Sequence, residues 1–218
     1  MKGVWSIVLA GGSGSRFGGN KQVAKLGNQR VVDWSVASAK SCSEGVVLVA
    51  NSEMVGDKRL PQVDVVVSGG LTRSESVRRG LGALPPSAEV VVVHDAARPG
   101  APIQMYTSVI EAVLGGADGA VPGLPISDTL KQVEDASGGK KVAATVDRDT
   151  LMLIQTPQAF SRRILEKAHA DRKQATDDAA LVEAVGGTVM MVAGDPAATK
   201  ITNPSDLVIV AHLMGLDP

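Results

Sequence analysis

Two cations, Arg16 and Lys21, sit inside a glycine-rich stretch that reads LAGGSGSRFGGNKQ over residues 9–22. Glycines let backbone N–H groups approach phosphate oxygens without side-chain clash. Ala10, Gly11, Gly12, Ser13 and Gly14 are therefore candidate nucleotide contacts. The same glycines would also serve a plain tight turn. Such a turn has no structural need of charge, however. A guanidinium offers a bidentate fork and an ammonium a point charge, and together they suit a triphosphate better than a lone carboxylate. Two familiar phosphate motifs fail. Lys21 is preceded by Asn20 and followed by Gln22, so the G-x-x-x-x-G-K-[ST] pattern is absent. In G-x-G-x-x-G, Gly12 and Gly14 fit but Phe17 stands at the third glycine. The second apolar run ends at Asn51 instead of a ribose-binding acid, with Glu53 two residues further on, which disfavours a dinucleotide-dependent oxidoreductase.

The second chemical feature is Asp95, which follows the β-branched run EVVVVH at Glu89–His94. One carboxylate facing substrate phosphates is the usual way Mg²⁺ is held, with water and phosphate completing its octahedron. An Asp95–Arg98 pair that only shapes the turn is the other reading. His94 suits a structural hydrogen bond better than catalysis. Asp177-Asp178 suggests either a second metal site or, more simply, acids at a helix N-terminus.

These groups must be held by a scaffold, and the apolar pattern supplies one. Val4–Leu9, Gly45–Ala50, Val63–Val67, Glu89–His94, Gly119–Pro122 and Gly187–Val192 read as buried strands. Between them, Val31–Lys40, Thr72–Leu84, Pro102–Leu114, Arg162–Asp171, Asp177–Val185 and Ser205–Leu213 read as helices, with Thr72 or Ser74 and Ser205 as N-caps. Nearly continuous apolar strands alternating with helices predict an α/β fold, a doubly wound, mostly parallel sheet covered on both faces. Residues 129–150 break the rhythm. Two alternating stretches flank the turn signal Glu134–Gly139 and predict a polar β-hairpin arm that projects. The expectation is one domain, residues 1–218, with that arm inserted.

Composition narrows the function. Lys+Arg number 22 against 23 Asp+Glu, a formal net charge of -1, which argues against nucleic-acid binding by bulk charge. Aromatics are 2%, too few for a base-stacking platform. Cys42 is the single cysteine, so a disulfide framework and a cysteine-rich zinc site are excluded. No apolar run approaches the ~20 residues of a membrane span, and no signal-peptide pattern is present. The expectation is a cytoplasmic protein with neither membrane nor nucleic acid as partner.

Several further segments occur in order: VSGGLTRSESVRRGL, VVVHDAARP, SDTLK, TVDR, QTPQAF, TDDAALVEAVG and TKITNPSDL. With the glycine loop, they resemble the 2-C-methyl-D-erythritol 4-phosphate cytidylyltransferases of the non-mevalonate isoprenoid pathway. They are also similar to the ribitol-5-phosphate cytidylyltransferases. The resemblance spans almost the whole chain, and HDAARP, TVDR and TPQ are its most specific parts. It implies a Rossmann-like nucleotidyltransferase that condenses CTP with a polyol phosphate and releases pyrophosphate, with Mg²⁺ as cofactor. Arg16 and Lys21 match the catalytic loop cations, with Lys200 beside the reacting phosphates, and Asp95 matches the metal ligand. Gly70, Arg73 and Ser76 fall in the cytosine and ribose segment. Arg98, Thr129, Arg148 and Thr156 match groups around the sugar phosphate. The resemblance further implies a homodimer in which the arm carries Arg148 into the neighbouring site.

Without the resemblance, Thr129 and Arg148 are ordinary hairpin residues, Lys200 a surface lysine and Thr156-Pro157 a turn. The loop departs from the family pattern: Arg16 and Lys21 stand closer together and Asn20 replaces a proline. Methylerythritol phosphate is the preferred acceptor and ribitol phosphate the alternative. A nucleotide-binding regulator that has lost catalysis is the reading from another class, and the joint presence of Arg16, Lys21, Asp95 and Arg148 argues against it.

Overall fold

A computed structural model describes residues 1–12, 16–57 and 59–216. In chain order the elements are β1 (Val4–Ala10), a short ribbon of β2 (Lys25–Leu26) and β3 (Gln29–Arg30), α1 (Val31–Cys42), β4 (Gly45–Ala50), α2 (Ser52–Val55) and β5 (Val65–Ser68). Then come α3 (Arg73–Leu81), β6 (Val90–Asp95), α4 (Ile103–Leu114), β7 (Gly119–Pro125), β8 (Leu130–Ala136) and β9 (Gly139–Val146). The chain continues through β10 (Met152–Ile154), β11 (Gln158–Ser161), α5 (Arg162–Ala170), α6 (Asp178–Ala184), β12 (Val189–Ala193) and α7 (Pro204–Leu213).

The central sheet is mostly parallel. β6, β1, β4 and β5 lie side by side in that order, all parallel, and β12 runs parallel to β7. From β1 the chain winds outward through β4 to β5, then returns across to β6 on the other flank of β1. That reversal opens a crevice beyond the carboxyl ends of β1 and β6, the usual ligand position in such sheets. Successive side chains of β1 enter opposite cores. Val4 and Val8 meet α1 and α4 residues such as Val36 and Ile110, whereas Ile7 and Leu9 meet Val77 of α3 and Leu165 of α5. Each fully buried Val or Leu contributes about 1.5–3 kcal/mol, so both faces must be covered. Gly80 lets α3 sit close on β1, since a Cβ there would lie 2.6 Å from Ile7 Cγ2.

Three expectations are corrected. Thr156-Pro157 is no plain turn, because β10 and β11 on either side of it both pair antiparallel with β7. β11 also pairs antiparallel with β6, so a four-residue antiparallel strand fills the middle of the sheet. Little in the chain signals it, since Pro157 precedes it and only Ala159 and Phe160 of its four residues are apolar. The strand read at Val63–Val67 runs from Val65 to Ser68 instead. The closing helix is capped by Asn203, with Pro204 at its first turn and Asp206 accepting the Asn203 N–H, in place of Ser205. Proline has no N–H to satisfy there and its φ is already helical. Thr72 caps α3 by accepting the Glu75 N–H at 3.1 Å. β8 and β9 pair only with each other and are exposed along almost their whole length, as a projecting arm requires.

Candidate active site

A cavity of about 520 Å³ opens at the predicted end of the sheet. Its wall includes Gly11 and Gly12 after β1, Lys21 and Gln22 of the following loop, Gly70 to Arg73 at the start of α3, Ser76, Asp95 at the end of β6, and Lys200. Three segments far apart in sequence thus bring three cations to one carboxylate. Lys200 Nζ donates to Asp95 Oδ2 at 2.6 Å, and Arg73 Nε approaches Asp95 Oδ1 at 3.4 Å. Lys21 Nζ donates to the Ile201 carbonyl at 2.7 Å, which fixes the loop against the segment after Lys200.

The charges act on one another. Burial alone would raise the Asp95 carboxyl, but Arg73, Lys200 and Arg98 hold it well below the usual carboxylate range. Burial, and then Lys200, lower the Lys21 ammonium from its ordinary value, while Asp95 opposes them. Behind Asp95 lies a layer of buried polar contacts. The Thr156 hydroxyl accepts the Asp95 N–H at 3.0 Å and lies 3.2 Å from His94 Nδ1. His94 is 1% exposed, and burial pushes its pKa down to about 3, so the ring is neutral. It is the structural histidine the sequence suggests. Ser76 Oγ accepts the Gly70 N–H at 3.1 Å and donates to the Thr72 carbonyl at 3.0 Å, which shapes the glycine turn of the wall.

The cavity brings together Gly11, Gly12, Lys21, Gly70, Arg73, Ser76, Asp95 and Lys200 among the residues singled out from sequence. Ala10 is buried at the end of β1, between the wall residues Leu9 and Gly11 but not itself on the wall. Arg16 is exposed on the loop, within electrostatic reach of Lys21 but off the wall. Ser13 and Gly14 lie outside the described residues. Thr156 is buried and serves Asp95 from behind. Arg98 does not pair with Asp95 as the turn reading had it; its guanidinium donates to the carbonyls of Ala198 (2.8 Å) and Ile154 (3.4 Å). Thr129 and Arg148 are exposed at the base of the arm, where Arg148 donates to the Ser127 carbonyl. Sequence reasoning missed Gln22, Leu71 and Thr72 on the wall, and it read Asp178 as a helix-start acid or second metal ligand, whereas Asp178 is wholly buried against Arg73. An open groove of about 580 Å³ at the other end of the strands, on Glu89, Asp118, Arg162 and Glu166, lies away from the glycine loop.

No group of three or more metal-ligating side chains occurs among the described residues. Asp95 is the one carboxylate on the cavity wall among them. Such a donor set fits an ion that keeps most of its water and arrives with phosphates, as Mg²⁺ does, and not a protein-built cage.

A mostly parallel sheet with cations and one acid at the carboxyl ends of its central strands defines a Rossmann-like nucleotidyltransferase. The family model for 2-C-methyl-D-erythritol 4-phosphate cytidylyltransferase matches residues 4–215. The enzyme of that name from Streptomyces coelicolor is 41% identical over 226 residues, covering 96% of this chain and 84% of the relative. Its counterpart from Streptomyces avermitilis is 49% identical over 154 residues, 69% of this chain and 62% of the relative. The crystal structure of the Thermus thermophilus enzyme superposes with a TM-score of 0.81 at 33% identity, covering 97% of this chain and 98% of that one. The chain belongs to the 2-C-methyl-D-erythritol 4-phosphate cytidylyltransferase family.

Proposed function

We propose that the cavity binds CTP and 2-C-methyl-D-erythritol 4-phosphate and joins them into 4-diphosphocytidyl-2-C-methyl-D-erythritol, a step of non-mevalonate isoprenoid precursor synthesis in the cytoplasm. The observation that carries this reading is the convergence of Lys21, Arg73, Lys200 and Asp95 on the glycine-lined cavity beyond β1 and β6. A phosphate oxygen of the acceptor attacks the α-phosphorus of CTP. The bond from the α-phosphorus to its bridging oxygen breaks, and pyrophosphate leaves with the electron pair. A phosphate dianion needs no general base, so the protein's work is positioning and charge stabilisation.

In this reading Arg16, Lys21 and Lys200 oppose charge that builds on the α-phosphoryl oxygens. Gly11, Gly12, Gly70, Arg73 and Ser76 hold the nucleotide, together with Ala10, Ser13 and Gly14. Arg98, Thr129, Arg148 and Thr156 complete the acceptor side. Asp95 would hold Mg²⁺, which supplies further neutralisation of the phosphates when bound. The ionised state of Asp95 and its place on the cavity wall support that role. The chain is read as one nucleotidyltransferase domain with an inserted arm, and as a homodimer in which the arm delivers Arg148 to the partner's cavity. Pyrophosphate release with CTP and Mg²⁺ tests the reading, comparing methylerythritol phosphate with ribitol 5-phosphate. Preference for ribitol phosphate would reassign the acceptor, and no release with either would end the transferase reading.

A further inference from the structure

Asp178 opens α6 but does not cap it; Asp177 does, accepting the Ala180 N–H at 3.0 Å. Asp178 is instead 0% exposed. A carboxylate removed wholly from water is unfavourable unless both oxygens are partnered. Here both are. Oδ2 accepts from Arg73 Nη1 at 2.7 Å, and Oδ1 lies 2.9 Å from His169 Nε2, itself on a side chain only 2% exposed. Arg73 therefore bridges two acids unequally. It is gripped by Asp178 at 2.7 Å and only grazes Asp95 at 3.4 Å, and its buried Nη2 has no partner among the described residues. Asp95 takes its close contact from Lys200 instead.

We propose that Asp178 is a positioning residue for the nucleotide. It anchors Arg73 in the cavity wall and restrains its guanidinium from closing on Asp95. His169 orients Asp178 by holding its second oxygen. The inference rests on the reading that Arg73 contacts CTP.

Titration calorimetry with CTP and excess Mg²⁺, alongside steady-state kinetics, tests it on wild type, Arg73→Met, Asp178→Asn and the double variant. Asparagine keeps the shape: its carbonyl still accepts from Arg73, and its amide can donate to Nε2 of the other His169 tautomer. What is removed is the charge. Asp178→Asn is expected to weaken CTP binding about tenfold, the middle of the range for coupled neighbours. It should raise KM while leaving kcat within about threefold, the signature of lost uniform binding. In the Arg73→Met background, Asp178→Asn should change nothing further. Unaltered CTP affinity in Asp178→Asn beside a weakened Arg73→Met overturns the inference, as do additive effects. Wild-type CTP affinity in Arg73→Met would instead remove the underlying reading, and the inference with it. If Asp178→Asn alone does not fold, the double variant leaves neither charge unpaired and carries the test. Equality with Arg73→Met supports the link, and weaker binding refutes it.

Discussion

Lys200 closes on Asp95 at 2.6 Å across 105 residues of sequence, the tightest charge contact on the cavity wall among the described residues. The pair keeps the carboxylate ionised and aligned before any ligand arrives. Asp95→Asn preserves the shape and deletes the charge. It is expected to lower turnover about 10²-fold and to raise the Mg²⁺ concentration giving half-maximal rate. A Mg²⁺ titration of initial rates checks this, and a wild-type curve would show that Asp95 is not the ligand.

Lys21 and Arg16 are expected to act on the reaction more than on binding. Lys21→Ala and Arg16→Ala should each lower kcat by about 10²–10³-fold, roughly 3–4 kcal/mol of lost charge stabilisation, with much smaller changes in CTP affinity. Near-wild-type turnover in either variant would remove that residue from the mechanism. Lys21→Ala also frees the Ile201 carbonyl, so its melting temperature should be recorded beside its rate.

His94 predicts how stability follows pH. Its ring has an ordinary value of 6.5 and is held at about 3 by burial. Between those values the unfolded chain binds a proton that the folded chain refuses. This contribution is therefore complete above pH 6.5 and is lost progressively as pH falls toward 3. At about pH 5 the loss amounts to about 2 kcal/mol for one such proton. Thermal melts from about pH 7 to about pH 5 should show the fall, and His94→Gln should flatten it. Parallel slopes in the two proteins would mean that other groups govern the acid limb.

The arm makes a separate prediction. If Arg148 acts in the partner's cavity, Lys21→Ala subunits mixed with Arg148→Ala subunits form heterodimers with one intact site. Random mixing should then restore about a quarter of wild-type activity, since half the dimers carry one good site of two. No rescue after verified subunit exchange would place Arg148 in its own subunit's site or in none.

Much of this arrangement is legible in the chain. β1, β4 and β6 announce themselves because strands buried on both faces are apolar throughout, and a glycine loop with cations after the first of them has few other uses. Asp95 follows from its place at a strand end. β11 escapes notice for a physical reason: it is four residues long, begins with a glutamine buried among polar partners, and takes its pairing from strands on both sides. Asp178 is hidden by the ordinary role of its position. An acid at a helix start usually satisfies backbone donors, and only the fold reveals that Arg73, 105 residues earlier, occupies it instead. Local reasoning pairs Arg98 with its nearest acid in sequence, whereas carbonyls from β10 and the Ala198 turn reach it first in space.

The clasp between Lys21 and the Ile201 carbonyl joins positions 180 residues apart. A polypeptide emerging from the ribosome therefore presents the loop ammonium long before its anchor at Ile201 exists. Chains cut before Ile201 would lose that anchor, and with it the placement of the loop ammonium.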